Sequence, residues 1–392
     1  MSAQIGTYAS LVLPFVFAKV QLSKEKDFLK TRRHPVNSNK ISLVVVFSLL
    51  VLLGASRAAA QVPEWRAATS AAAAAGQRGE YTLAQTMYKQ AIEMQVKTLG
   101  ADNSKVAITL NNLAVSYQDQ SMYPQAEQAY RQALEILEKD PRQKDSTGFT
   151  LNNLAALYHD EGQDAKAEPL YTRALAIWGK LGPKESANEA ITAIGLSGIY
   201  HSWNQDASSE PLYLRALAIW DKQGKSESTE AAEAMFHVAE IYHSQSNNAA
   251  AGPMFAHALA IWENAGQMES AEAIAAQATL GEIYRAAGKY AEAEPLLERT
   301  LKATEEKMGP DHLDVAASLN NLALLYYCES KYDLADPLYK RALEIREKNL
   351  GQDDPAVQQT MRYYAALLRQ EGHMPEARKL EADAARTRVA HF

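Results

Sequence analysis

Three histidines recur at matching places along the chain, His159, His201 and His243. Each follows a tyrosine, and the full column at that place reads Gln118, His159, His201, His243, Arg285, Tyr327. Imidazole titrates near pH 6.5, so such a row could contact a ligand or sense pH. The plainer account is polar surface copied by duplication. Metal chemistry does not suit the row. Residues on neighbouring packed helices stand ~10 Å apart, whereas a Zn–N bond is ~2 Å, so one ion could not bridge two of them. Asparagine pairs form a second constellation, Asn111–Asn112, Asn152–Asn153 and Asn320–Asn321. A side-chain amide both donates and accepts, so these groups could grasp a partner, or one of each pair could cap or bridge helices. The corresponding places between them hold Ile194-Gly195, Phe236-His237 and Ala278-Thr279.

Nothing else in the chain assembles a catalytic constellation. There is no H-E-x-x-H, no G-x-S-x-G and no glycine-rich phosphate loop behind a strand. The single cysteine, Cys328, has Glu329 and Asp333 as neighbours, which do not favour a thiolate. One thiol builds neither an internal disulfide nor a cysteine zinc site. No cofactor or metal is expected, and no enzyme. The net charge is −7 with acids and bases interspersed, which argues against nucleic acid, because a phosphate backbone demands a basic partner.

These residues are carried on a 42-residue period. A tyrosine column runs Tyr117, Tyr158, Tyr200, Tyr242, Tyr284, Tyr326, one step of 41 and four of 42. An alanine column runs Ala91, Ala133, Ala174, Ala216, Ala258 and Ala342, with Thr300 in the remaining slot. A proline column runs Pro169, Pro211, Pro253, Pro295, Pro337. Each period reads as two helices. Leu110–Tyr117 has apolar residues at three- and four-residue steps, as one buried helical face requires. A polar turn such as Glu161–Asp164 follows, then a second helix such as Ala167–Trp178. Its proline is expected near the helix start, where a missing N–H costs little. Gly-containing linkers such as Leu181-Gly-Pro183 and Gly309-Pro310 end it. Trp178, Trp220 and Trp262 form a ladder near the end of the second helix, expected to pack between units, with exposed aromatic sites as the alternative.

The small-residue and tyrosine signature of the first helix, with Ala…Tyr…Ala in the second, resembles the tetratricopeptide repeat (TPR). The 42-residue version is similar to the kinesin-light-chain type, above all Gly309–Tyr326 followed by Tyr339–Arg346. The resemblance implies an all-α, right-handed superhelical solenoid of antiparallel helix pairs. About eight repeats are expected over 61–392, near 67–100, 105–140, 147–181, 189–224, 231–266, 273–308, 315–350 and 355–388. The first and last read as caps, which solenoids need at their open ends. It further implies that the first helix of each repeat lines a concave groove that binds peptides. The asparagine pairs, His159, His201, His243, Arg285 and Tyr327 are then groove candidates. No heptad region is present, so a motor-transport role does not carry over. The expected function is a non-enzymatic scaffold for a peptide or partner protein; the alternative is a structural or self-assembling solenoid.

Residues 1–60 differ. A basic stretch with Lys30, Arg32, Arg33, His34 and Lys40 precedes an apolar run, Ile41–Gly54, and then Ala58-Ala59-Ala60 before Gln61. That order fits a secretory signal with cleavage after Ala60. The run is about 21 Å as a helix, short of the ~30 Å hydrocarbon core. The first reading is therefore export to a periplasmic or extracellular space, and the second an uncleaved anchor touching the membrane through residues 41–56. The basic region is long for a signal, and a start at Leu29 or Val36 would leave a conventional one.

Overall fold

The computed structural model describes residues 63–182 and 186–386. The expected targeting segment lies outside the described residues. Among those residues there are sixteen α-helices and no strand, and no helix is long and apolar enough to cross a membrane. Two compact units divide the chain, 1–205 and 206–392. The first holds α1 (Glu64–Gln77), α2 (Tyr81–Leu99), α3 (Ser104–Gln118), α4 (Tyr123–Glu138), α5 (Lys144–Asp160), α6 (Asp164–Leu181) and α7 (Ser186–Ser202). The second holds α8 (Asp206–Lys222), α9 (Thr229–Ser244), α10 (Asn248–Asn264), α11 (Ala271–Ala286), α12 (Tyr290–Met308), α13 (Leu313–Cys328), α14 (Tyr332–Leu350), α15 (Pro355–Gln370) and α16 (Met374–Arg386).

Odd-numbered helices are the first of each repeat, called A below, and even-numbered helices the second, B. Inside each unit every helix packs on its neighbours in sequence, and each A helix also meets the next A helix. The small column three residues before each tyrosine permits this approach. Ala114, Ala155 and Ser197 are buried in the first unit, and Ala239, Gly281, Ala323 and Ala365 in the second. At Gly281 a Cβ would stand 2.7 Å from the Leu297 side chain, so even alanine would force that contact apart.

Every A helix ends in the same turn. The N–H five residues past the tyrosine column donates to the column carbonyl, as in Gln163 to Tyr158 at 2.7 Å and Lys289 to Tyr284 at 2.8 Å. That closure needs a left-handed residue just before the donor. Gly162, Gly288 and Gly372 supply it, but Ser121, Asn204, Ser246 and Ser330 take φ of 57°, 55°, 61° and 60°. A serine there carries a steric cost that glycine lacks. Ser246→Gly and Ser330→Gly are each expected to raise stability by about 0.5–1 kcal/mol, read as a shift of the urea midpoint. An unchanged or lowered midpoint would show that these turns bear no strain.

Starts of A helices carry a cap column that the periodicity did not reveal. Ser228 and Ser270 accept from Ala231 and Ala273 N–H at 3.2 and 3.0 Å, and Asp354 accepts from Ala356 N–H at 2.8 Å. The prolines correct the expectation made for them. Pro169, Pro211, Pro253, Pro295 and Pro337 each sit at the sixth helical residue, inside the B helix. Each therefore removes a ladder hydrogen bond. All five rings are exposed, as are the residues four back whose carbonyls lose a donor, so water can take the donor's place.

Candidate functional site

The A helices bury one face and leave a stripe partly open. Counted from the tyrosine column, the stripe runs through positions −9, −5, −2 and +1. In α3 these are Ile108, Asn112, Val115 and Gln118; in α13 they are Ala317, Asn321, Leu324 and Tyr327; all are half-buried. Steps of four, three and three keep these side chains on one helical face. Because successive A helices touch, the stripes of one unit form a continuous face.

Its chemistry changes along the chain. In the first unit small and apolar residues, Phe149, Ala156, Ile191, Gly195 and Gly198, stand beside the polar Asn112, Gln118, His159 and His201. At Gly195 a Cβ would lie 2.6 Å from the Tyr171 ring, so glycine there lets a B-helix tyrosine rise into the stripe. In the second unit Glu233, Glu240 and Glu282 occupy the same columns, and His237 stacks on Tyr213 with ring centroids 5.2 Å apart. Burial, then the nearby charges of Glu272 and Glu230, push the Glu233 carboxyl up to about 7. Residues 206–300 hold fourteen acids against six Lys and Arg, so this stretch is more acidic than the −7 of the whole chain.

Most of the asparagine amides are engaged within the protein. Asn153 Nδ2 donates to Asn111 Oδ1 at 3.2 Å, bringing two candidates together across α3 and α5. Asn152, only 5% exposed, accepts from the Thr192 hydroxyl at 2.9 Å. Thr192 in turn accepts from the indole of Trp178 at 3.0 Å. Asn321 donates to Glu282 at 2.5 Å. Asn320 is buried and its Oδ1 has no donor. The threonine at the corresponding place, Thr360, accepts from Arg346 and donates to the Ala356 carbonyl instead. Asn112 stays half-buried on the stripe.

The column after the tyrosine bridges A to B. His159 Nδ1 lies 2.6 Å from Asp164 Oδ1, and His243 Nδ1 lies 2.7 Å from Asn248 Oδ1, the first residue of the following B helix in each case. Gln118 donates to Asp160 at 2.8 Å and accepts from the Tyr130 hydroxyl at 3.0 Å. His201 and Arg285 are half-buried, and Tyr327 lies against Tyr332 with centroids 5.8 Å apart.

One column went unread in the sequence. Several of the tyrosines donate to an acid on the preceding B helix, Tyr158 to Glu127 at 2.7 Å and Tyr200 to Glu168 at 2.8 Å in the first unit. In the second, Tyr242 bonds Glu210, and Tyr364 donates to Asp336 at 2.8 Å. Tyr364 stands one turn before Leu368 and does the work of the missing column tyrosine. The signal was present, since Glu168, Glu210, Glu294 and Asp336 directly precede the prolines.

Tandem helical hairpins with a shared small-residue seam and an open A-helix stripe define a helical repeat protein. The family model for the tetratricopeptide repeat matches residues 66–139, 146–222, 230–306, 272–348 and 314–388. The chain belongs to the tetratricopeptide repeat family. Among solved structures it is similar to the kinesin-light-chain TPR-like repeats of Podosopora anserina. That match has 23% identity and a TM-score of 0.41, and covers 52% of this chain and 96% of that one. BtubC (BKLC) from P. vanneervenii matches at 22% identity and a TM-score of 0.31, covering 69% and 89%. The apo form of RapI matches at 15% identity and a TM-score of 0.51, covering 73% and 98%, a likeness of fold alone. No curated protein sequence matches the chain.

Proposed function

We propose that the chain is a non-catalytic scaffold that holds a peptide or partner protein on the A-helix face. One observation carries this. Buried columns repeat small and aromatic residues, while at positions −9 and −2 the open stripe changes from Ile, Phe, Val, Ala and Gly in the first unit to a set that includes Glu233, Glu240 and Glu282 in the second. A spacer needs only the buried columns; a face that differs at every step suits a particular ligand. The basic stretch and apolar run before Gln61 support export, with residues 41–56 as the membrane contact if they are retained. The candidates most available to a partner are Asn112, Tyr327 and Arg285, since Asn152 and Asn153 are buried between helices. Self-assembly is the competing account.

Crosslinking in the native cell, with identification of captured proteins, tests the reading. Asn112→Ala combined with Leu324→Glu is expected to cut capture at least tenfold while the melting curve stays put, as for contacts at a binding face. Closed multimers by light scattering, with no other protein captured, would replace the scaffold with self-assembly.

A further inference from the structure

Where its neighbours in the second unit bury apolar side chains, the α11–α12 hairpin buries polar ones. Met235, Leu319 and Met361 are core residues of their A helices, and the same place on α11 holds Gln277, 2% exposed. Ala216, Ala258 and Ala342 are fully buried in their B helices, and the same place on α12 holds Thr300. Trp220 and Trp262 are buried one turn further on, where α12 has Thr304. Leu319 and Ala342 share one apolar cluster, so the same register brings Gln277 against Thr300.

These polar groups bond inside their own helices. Gln277 Nε2 donates to the Ala273 carbonyl at 3.2 Å, and its buried Oε1 has no donor. Thr300 donates to the Leu296 carbonyl at 2.8 Å and Thr304 to the Thr300 carbonyl. Ser318 on α13 donates to the Asp314 carbonyl at 3.0 Å. Such back-bonds slightly weaken and bend a helix. Thr304 and Ser318 meet at 3.3 Å, but either hydroxyl that turned to the other would leave its own carbonyl. One repeat back the corresponding residues are Trp262, 2% exposed and 6.0 Å from the Phe236 ring, and Ala276, 0% exposed.

The other half of the α12–α13 seam is apolar. Ala293 and Leu297 are buried in one core with Leu322, Ala323 and Tyr326, and Tyr326 donates to Glu298 at 3.2 Å. From the polar end, half-buried Leu301 reaches the α13–α14 core. A buried acceptor without a donor keeps its full desolvation cost, and segments with few buried apolar contacts open first.

We propose that residues 300–318, the last turns of α12 and the start of α13, form a joint that opens by local unfolding, hinged on the apolar half of the seam. Opening lets α13–α16 move as a block against α8–α11. The joint does not depend on the scaffold reading and stands whether or not a partner occupies the A-helix face.

The test is hydrogen exchange of the full chain in low urea, read by mass spectrometry. Amides of 300–318 are expected to exchange about tenfold faster, or more, than those of 258–276, the same stretch one repeat back, at a rate that urea hardly changes. Amides of 320–328, at the hinge, are expected to stay protected until the unit unfolds. Gln277→Leu combined with Thr300→Ala installs the residue types of the neighbouring repeats. It is expected to slow exchange over 300–318 about fivefold, leave 258–276 unchanged and raise the melting temperature by a few degrees. Equal exchange in the two stretches overturns the joint. Exchange over 300–318 that rises with urea as steeply as at the hinge also overturns it, because that reports unfolding of the whole unit. Neither reading needs a variant. A double variant that exchanges as fast as the native chain overturns the assignment to these side chains and the joint with it.

Discussion

Trp178→Ala is expected to cost about 3–5 kcal/mol, the range for deleting a large buried aromatic. The indole is 0% exposed and is held on several sides. Phe149 meets it edge-on with centroids 5.1 Å apart, and a Cβ on Gly148 would stand 2.7 Å from the ring. Glycine at 148 is therefore cut to the shape of the indole. Its N–H begins a buried polar chain through Thr192 to Asn152. Removing the side chain opens a cavity lined by Phe149, Asn152, Ile191 and Thr192 and leaves Thr192 without its donor. Trp178→Phe keeps most of the volume and loses only that hydrogen bond, at about 1–2 kcal/mol. Urea unfolding of the two variants beside the native chain separates the terms. Equal losses in both would assign the stability to the polar chain and not to packing.

The same site shows what periodicity can reveal. A column says that a position is constrained, not by what. The tyrosine, alanine and tryptophan columns were legible because large apolar and small residues have one common use in helix packing, and the structure buries Trp178, Trp220 and Trp262. Asparagine has several uses. Adjacent residues on a helix point about 100° apart, so one member of each pair turns toward a neighbouring helix and the other toward the stripe. Asn152 and Asn320 take the buried direction, and Asn112 and Asn321 the open one. Asn153 is buried even so, because Asn111 of the preceding repeat accepts from it. The partner decides, and it lies about forty residues away. The acids before the prolines were visible as residues but not as partners of the tyrosines, for the same reason. The proline column was placed too early because its helix starts at residues such as Asp164, which the sequence reads equally well as turn.

The second unit is expected to lose stability as the pH rises from about 4.5 to about 7, and Glu233 is the group responsible. Its folded carboxyl is raised from 4.5 to about 7, first by burial and then by Glu272 and Glu230. Between those values the folded state holds a proton that the unfolded state has released. Stability therefore falls with pH through that window and reaches its full deficit above 7. At 1.36 kcal/mol per unit the deficit is about 3 kcal/mol. Glu233→Gln keeps the shape and removes the charge. It should therefore raise stability at pH 8 by about 2–3 kcal/mol and leave it nearly unchanged at pH 4.5. Melting curves of the two proteins across this range give the difference directly. A carboxyl NMR titration of Glu233 locates the cause; an inflection near 4.5 would refute it. Glu272→Gln discriminates between the contributions. If burial dominates, the inflection moves down only part of the way, and Glu233 still titrates well above an ordinary glutamate.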